Sequence, residues 1–303
     1  MSGTRFAIPA AAIWLLVGLV LGWGMSWPLM KLALSEMPPL RFRAFAVGVG
    51  TIGLFAAAWI SGARLALPRG ALSRIAGVAF FNSIAWSVSM AYGLRLVDSG
   101  RAAIVVYTFP VWSIPLGAWL LGEPITRRRL AGLVLGMSGM ALLLGGELHA
   151  VGRAPLGALL LLGTAASWAV GTVLMKRWAV DVPASAYTAW MSLIAFVPLL
   201  AATLLLERGP LHPFGLSAGP MFGAFYSALI AALFCQWAWL RLVRLTSAGV
   251  ASLSILAVPV VGVASGMVLL GERPGASDIG ALALVLASLG TVVLPSRTRR
   301  APG

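Results

Sequence analysis

Charge is what this sequence has least of: only 10% of its 303 residues are Asp, Glu, Lys or Arg. Soluble domains carry about 25%, so the residues for a water-facing shell are missing. Acids are scarcer still, eight against 22 Lys and Arg. A single cysteine, Cys235, excludes an intramolecular disulfide. The two histidines, His149 and His212, fall far apart in loops and support no zinc site. No cofactor or metal is expected. Enzymatic chemistry is also disfavoured, because no cluster of ionisable groups gathers near one membrane face. What the chain does have is 60% hydrophobic residues. Lipid solvates such side chains directly, provided the backbone satisfies its own hydrogen bonds in helices. The expected fold class is therefore all-α, a polytopic membrane protein.

Ten apolar runs can be marked, near 8–30, 41–62, 71–93, 101–121, 128–146, 155–175, 184–206, 219–240, 247–270 and 277–294. Each is long enough, at roughly 20 residues, to cross the hydrocarbon of a bilayer. The first run is too long for a cleaved signal peptide and is read as a retained span. The net charge of +14 does not form a nucleic-acid-binding stripe, since the basic residues sit in short clusters between the runs. With the N-terminus inside, 14 of the 22 basic residues fall on the cytoplasmic side, as the positive-inside rule requires. Both termini are expected in the cytoplasm, with the bacterial inner membrane as the location.

The chain also repeats itself. Trp23 precedes Lys31 in WGMSWPLMK, and Trp168 precedes Lys176 at the same spacing in WAVGTVLMK. Leu-Arg-Leu-Val recurs at 94–97 and 240–243. Pro110 precedes Glu123, and Pro259 precedes Glu272, each by 13 residues and each inside a Leu-Leu-Gly-Glu ending. Three matches in one order predict two repeats, 8–146 and 155–294, of five spans each. An odd number of spans inverts the second copy, and inverted repeats are typical of carriers that open to alternate sides.

The segments LLGEPITRRRLAGLVLGMSGMALLL (120–144) and LLGERPGASDIGALALVLASLGTVVL (269–294) resemble the EamA domain of the drug/metabolite transporter superfamily. The tandem Trp/Lys segments fit that family's first helices. The resemblance implies ten helices, a central cavity and export of amino acids or other metabolites. Spans rich in Trp and Tyr look most like those of the aromatic amino-acid exporters. The second copy departs from the first where Arg273 separates Glu272 from Pro274. A multidrug, toxic-cation or nucleobase efflux carrier is the alternative.

No ionisable residue is expected at mid-span, with Arg74 the deepest. That absence predicts facilitated diffusion, because ion-coupled carriers often keep a carboxylate or histidine in the membrane. A zwitterion would then be held by amides, hydroxyls and aromatic faces. Candidate substrate-binding residues are Asn82, Trp86, Tyr107, Trp112, Trp168, Trp190, Gln236, Trp237, Ser252 and Ser254. Each has a plainer alternative: interfacial anchoring for a tryptophan, a helix–helix bond for a carboxamide, a bond to its own helix for a serine. Pro110 and Pro259 hold equivalent places, as a paired hinge or as static kinks. Glu123 and Glu272 open the fifth and tenth helices, as N-terminal caps or as gates. Lys31 and Lys176 are expected to snorkel to head groups, with pairing to such acids as the alternative. Glycine pairs such as Gly132/Gly136 let helices pack closely, inside one chain, with dimerisation through such a face as the alternative. The partners implied are the small-molecule substrate and the lipid bilayer.

Overall fold

Apolar runs punctuated by Pro and Gly leave the backbone one way to satisfy itself in lipid, which is to coil. A computed structural model describes residues 10–123, 126–148, 154–238 and 248–293. Among them there is no β-strand, and ten helical rods follow one another: α1 (Ala10–Glu36), α2 (Pro39–Ile60), α3 (Ala71–Leu94), α4 (Ser99–Leu121), α5 (Arg127–Leu148), α6 (Ala154–Arg177), α7 (Ala184–Leu206), α8 (Ala218–Ala238), α9 (Ala248–Leu270) and α10 (Ala276–Val293). Seven of them, α1–α4 and α6–α8, are long and apolar enough to cross a membrane. Among the described residues, α5, α9 and α10 contribute the apolar stretches Leu130–Gly139, Ala257–Leu270 and Ala276–Ser288.

The packing obeys an exchange of halves. α1 lies against α8 and α9, and α6 lies against α3 and α4. α2 packs on α7, and α5 on α10. Polar groups on facing helices bond across these seams. Thr51 and Ser192 hydroxyls meet at 2.8 Å between α2 and α7, and the Ser288 hydroxyl donates to the Gly132 carbonyl at 2.6 Å between α10 and α5. A Cβ on Gly132 would lie 2.2 Å from the Thr291 hydroxyl, so only glycine permits that approach. The glycine pair on α5 thus packs inside the chain.

Two helices carry π-helical stretches at matching places, Phe80–Ala85 in α3 and Ser227–Phe234 in α8. Such wider turns shift the backbone register and recur at functional sites. A side chain from the partner helix meets each stretch. The Ser167 hydroxyl of α6 donates to the Phe81 carbonyl at 2.6 Å, and the Trp23 indole of α1 donates to the Ala231 carbonyl at 3.3 Å.

The Leu-Leu-Gly-Glu endings explain themselves locally. Gly122 and Gly271 both adopt φ of 66°, the left-handed conformation that ends a helix. The amide of Glu123 then returns to the Gly117 carbonyl at 3.2 Å, and that of Glu272 to the Gly266 carbonyl at 3.2 Å. Both glutamates therefore close α4 and α9. This corrects the expectation that they open the next helices, which begin at Arg127 and Ala276. The two prolines also part company. α4 breaks at Tyr107–Thr108 and resumes with Pro110 in its new first turn, where a missing N–H costs nothing. α9 runs unbroken through Pro259.

Candidate functional site

The π-helical stretch of α3 turns Asn82 and Trp86 toward α6. Trp86 meets Trp168 at 6.1 Å between ring centroids, tilted by 58°. One turn away, Asn82 lies against Gly171, where a Cβ would sit 1.9 Å from its Oδ1. Only a glycine on α6 leaves room for this carboxamide. Asn82 is buried, and its Oδ1 has no hydrogen-bond partner. An unpaired buried carbonyl is costly, so an acceptor stands ready here.

A residue absent from the sequence-derived candidates completes the group. Arg43 of α2 is 8% exposed. Its guanidinium carbon lies 5.2 Å from the Trp86 ring centre and 5.8 Å from that of Phe42. Such cation–π contacts are worth about 0.5–2 kcal/mol each. Nη2 donates to the Ser87 hydroxyl at 3.0 Å, while the buried Nε has no partner. Arg41 and Arg43, and not the exposed Arg74, are thus the buried cations of the spans. The signal for Arg43 in the sequence was its setting, Phe42 before it and Phe45 after, within a run that Pro38 and Pro39 start.

Other candidates distribute as follows. Tyr107, at the break in α4, packs with Trp86 against a core that includes Trp27, Phe42, Met90 and Leu161. Trp112 is partly buried, with an indole N–H that finds no partner. Trp190 is elsewhere: it stacks edge-on with Phe55 at 5.6 Å and donates to the Leu65 carbonyl at 2.8 Å, tying α7 to the α2–α3 connection. Trp237 is 38% exposed and lies beside Phe234. Gln236, on the same turn of α8, is half-buried. Pro259 is buried within α9. The side chains of Pro110, Ser252 and Ser254 lie outside the described residues. Asn82, Trp86 and Trp168 are therefore brought together on the α3–α6 seam, Tyr107 borders the same large core as Trp86, and Trp190 is engaged at the α2–α3 connection.

At the ends of α4 two ion pairs face opposite ways. Glu272 receives the backbone N–H of Ser99 at 2.6 Å, the Ser99 hydroxyl at 2.9 Å and the Gly100 N–H at 3.0 Å. It caps the N-terminus of α4, a helix from the other repeat. Lys31 joins it at 3.3 Å and also reaches Asp98 at 3.0 Å. At the far end of α4, Lys176 meets Glu123 at 3.5 Å. Both lysines pair with acids instead of only snorkelling. Since α1 and α6 finish at opposite ends of α4, the two Trp/Lys segments run in opposite directions. The first pair is the more protected, with Glu272 9% and Glu123 30% exposed. Among the described residues, no group of three or more His, Cys, Asp or Glu could hold a metal ion.

A family model described as the EamA-like transporter family matches residues 10–145 and again 155–294. A "Probable amino-acid metabolite efflux pump" of Salmonella typhimurium is 29% identical, over 93% of this chain and 94% of that one. A "Probable terminal-alkyne amino-acid exporter" of Streptantibioticus cattleyicolor is 27% identical, over 96% and 95%. The "Uncharacterized inner membrane transporter YedA" of Escherichia coli is 27% identical, over 95% and 94%. One solved crystal structure has a TM-score of 0.65 at 21% identity, covering 98% of this chain and 100% of that one. It shares the fold.

Proposed function

The chain belongs to the EamA-like transporter family, and from that premise we propose that it exports amino acids, aromatic ones included, across the bacterial inner membrane. The observation that carries the reading is the group formed by Asn82, Trp86 and Trp168. It offers an unpaired acceptor beside two aromatic faces in the interior of the bundle. An ammonium suits the acceptor and the ring faces, and an apolar or aromatic side chain suits the surrounding core.

Transport proceeds by alternating access between two inverted repeats, with ten spans and both termini in the cytoplasm. Lys31–Glu272 closes the extracytoplasmic side and Lys176–Glu123 the cytoplasmic side. Each pair joins one repeat to the other, so each must part when its side opens. Movement is facilitative, since no carboxylate or histidine among the described residues lies in the interior group to relay protons. The alternative, efflux of a toxic cation, is disfavoured by the buried positive charge of Arg43.

The test is counterflow of labelled phenylalanine into proteoliposomes holding purified protein. Saturable exchange competed by other amino acids supports the reading. Absence of exchange above empty liposomes, with folded protein, moves the substrate to a drug or nucleobase.

A further inference from the structure

We propose that Arg43 is the anion-binding residue of this site and that it takes the carboxylate of the transported molecule, an inference that rests on the amino-acid reading above. The argument begins with two arginines on one helix. Arg41 and Arg43 are both buried, at 3% and 8% exposure. Two residues apart on an α-helix they point to nearly opposite sides, and their surroundings differ in kind.

Arg41 has a structural occupation. It donates to the carbonyls of Glu207 and Pro210 and lies 3.9 Å from the Glu207 carboxylate. That carboxylate also accepts the Leu40 and Arg41 amides at the start of α2. Its charge is neutralised, and its removal would uncap the helix.

Arg43 has no such neutralising partner. No acidic side chain pairs with it among the described residues, and one hydroxyl and two ring faces are its neighbours. A guanidinium has five N–H donors, and here Nε is buried with none of its bonding satisfied. A buried cation without an anion is unstable unless something supplies the negative charge. The planar fork of arginine fits a carboxylate through two parallel bonds.

The neighbours tell which carboxylate. Trp86 bridges the arginine to the rest of the group: it carries Arg43 on one side and packs on Trp168. One helical turn along α3 stands the unpaired Oδ1 of Asn82. Trp86, which carries the donor fork, and Asn82, which offers the acceptor, are four residues apart on α3, about a turn or ~5 Å along the helix. That order matches carboxylate, ammonium and side chain of an α-amino acid. Arg43 is also four residues, ~6 Å, inside the start of α2, so a ligand there would be reached from the Lys31 side.

The experiment compares wild-type protein with Arg43→Gln and Arg43→Lys in counterflow of labelled phenylalanine. Competition by unlabelled phenylalanine, phenethylamine and 3-phenylpropionate is measured alongside. Thermal stability in detergent reports folding, and the lysine variant keeps the charge where the glutamine variant fails to fold. In the wild type, phenylalanine and phenylpropionate compete and phenethylamine does not. In Arg43→Gln the KM for phenylalanine rises at least tenfold and phenylpropionate ceases to compete. Arg43→Lys falls between them. A variant that keeps the wild-type KM and the preference for carboxylates overturns the proposal. So does a wild type that takes phenethylamine as readily as phenylalanine. If the wild type ignores phenylalanine yet exchanges labelled phenylpropionate with the same Arg43 dependence, the amino-acid reading fails and the role of Arg43 stands.

Discussion

The Lys31 ammonium lies 3.3 Å from the Glu272 carboxylate, across 241 residues of sequence, and ties the end of α1 to the end of α9. Its counterpart, Lys176 with Glu123, sits at the other end of α4. The pairs are alike in sequence and unlike in burial, and the difference has consequences.

Glu272→Ala removes a cap on α4 and a partner of Lys31 together. A lost cap costs about 1 kcal/mol, and the freed Ser99 and Gly100 amides add to it. The expected loss is roughly 1–3 kcal/mol, read as a lower melting temperature in detergent. Glu123→Ala should cost less, because Lys176 is 63% exposed and exposed pairs contribute little. Equal losses for the two variants would contradict the difference in burial.

Glu272 also depends on a glycine beneath it. A Cβ at Gly266 would stand 2.4 Å from Glu272 Oε2 and 2.9 Å from the Ser99 hydroxyl. Gly266→Ala should therefore destabilise by about 1–3 kcal/mol, despite the helix-forming advantage of alanine. Among the described residues nothing lies within 4 Å of a Cβ at Gly290, so Gly290→Ala should be neutral or stabilise by up to about 1 kcal/mol. Thermal melts of the two variants side by side decide it.

The tryptophans separate by task. Trp168→Ala takes away a face of the Trp86 pair and should raise the transport KM by about tenfold, near 1.4 kcal/mol of binding. Trp190→Phe forfeits the bond to Leu65 and should lower stability by about 1 kcal/mol with KM unchanged. A KM effect at Trp190 equal to that at Trp168 would place the substrate elsewhere.

An imposed pH gradient should change neither the direction nor the final level of amino-acid accumulation in proteoliposomes. Glu272, Asp278 and Glu207, the most protected acids among the described residues, are held at helix ends by Ser99 and Gly100, by Arg101 and Gly275, and by the Leu40 and Arg41 amides. They have structural work there. Uphill accumulation driven by protons would refute facilitated transport.

Much of this was readable from residue order. The Leu-Leu-Gly-Glu endings signalled equivalent places in two repeats, because a helix that must stop takes a left-handed glycine and both copies must stop. Asn82 and Trp86, four apart, announced one face, and they share it. Arg43 was hidden, since an arginine four residues into an apolar helix reads the same whether it snorkels to water or turns inward. The partner of Trp190 was hidden for the same reason, because a tryptophan does not declare which carbonyl its indole will meet.

Residue order alone settles the class, an all-α polytopic membrane protein, for it follows from how many apolar residues stand between charges. That is a one-dimensional property, set by the thickness of a bilayer. The packed bundle adds that Arg43 faces Trp86, that Glu272 caps a helix of the other half of the chain, and that Lys31 and Lys176 find acids. Those facts depend on which helices become neighbours, and neighbours 44, 173 or 241 residues apart are chosen by packing rather than by spacing along the chain.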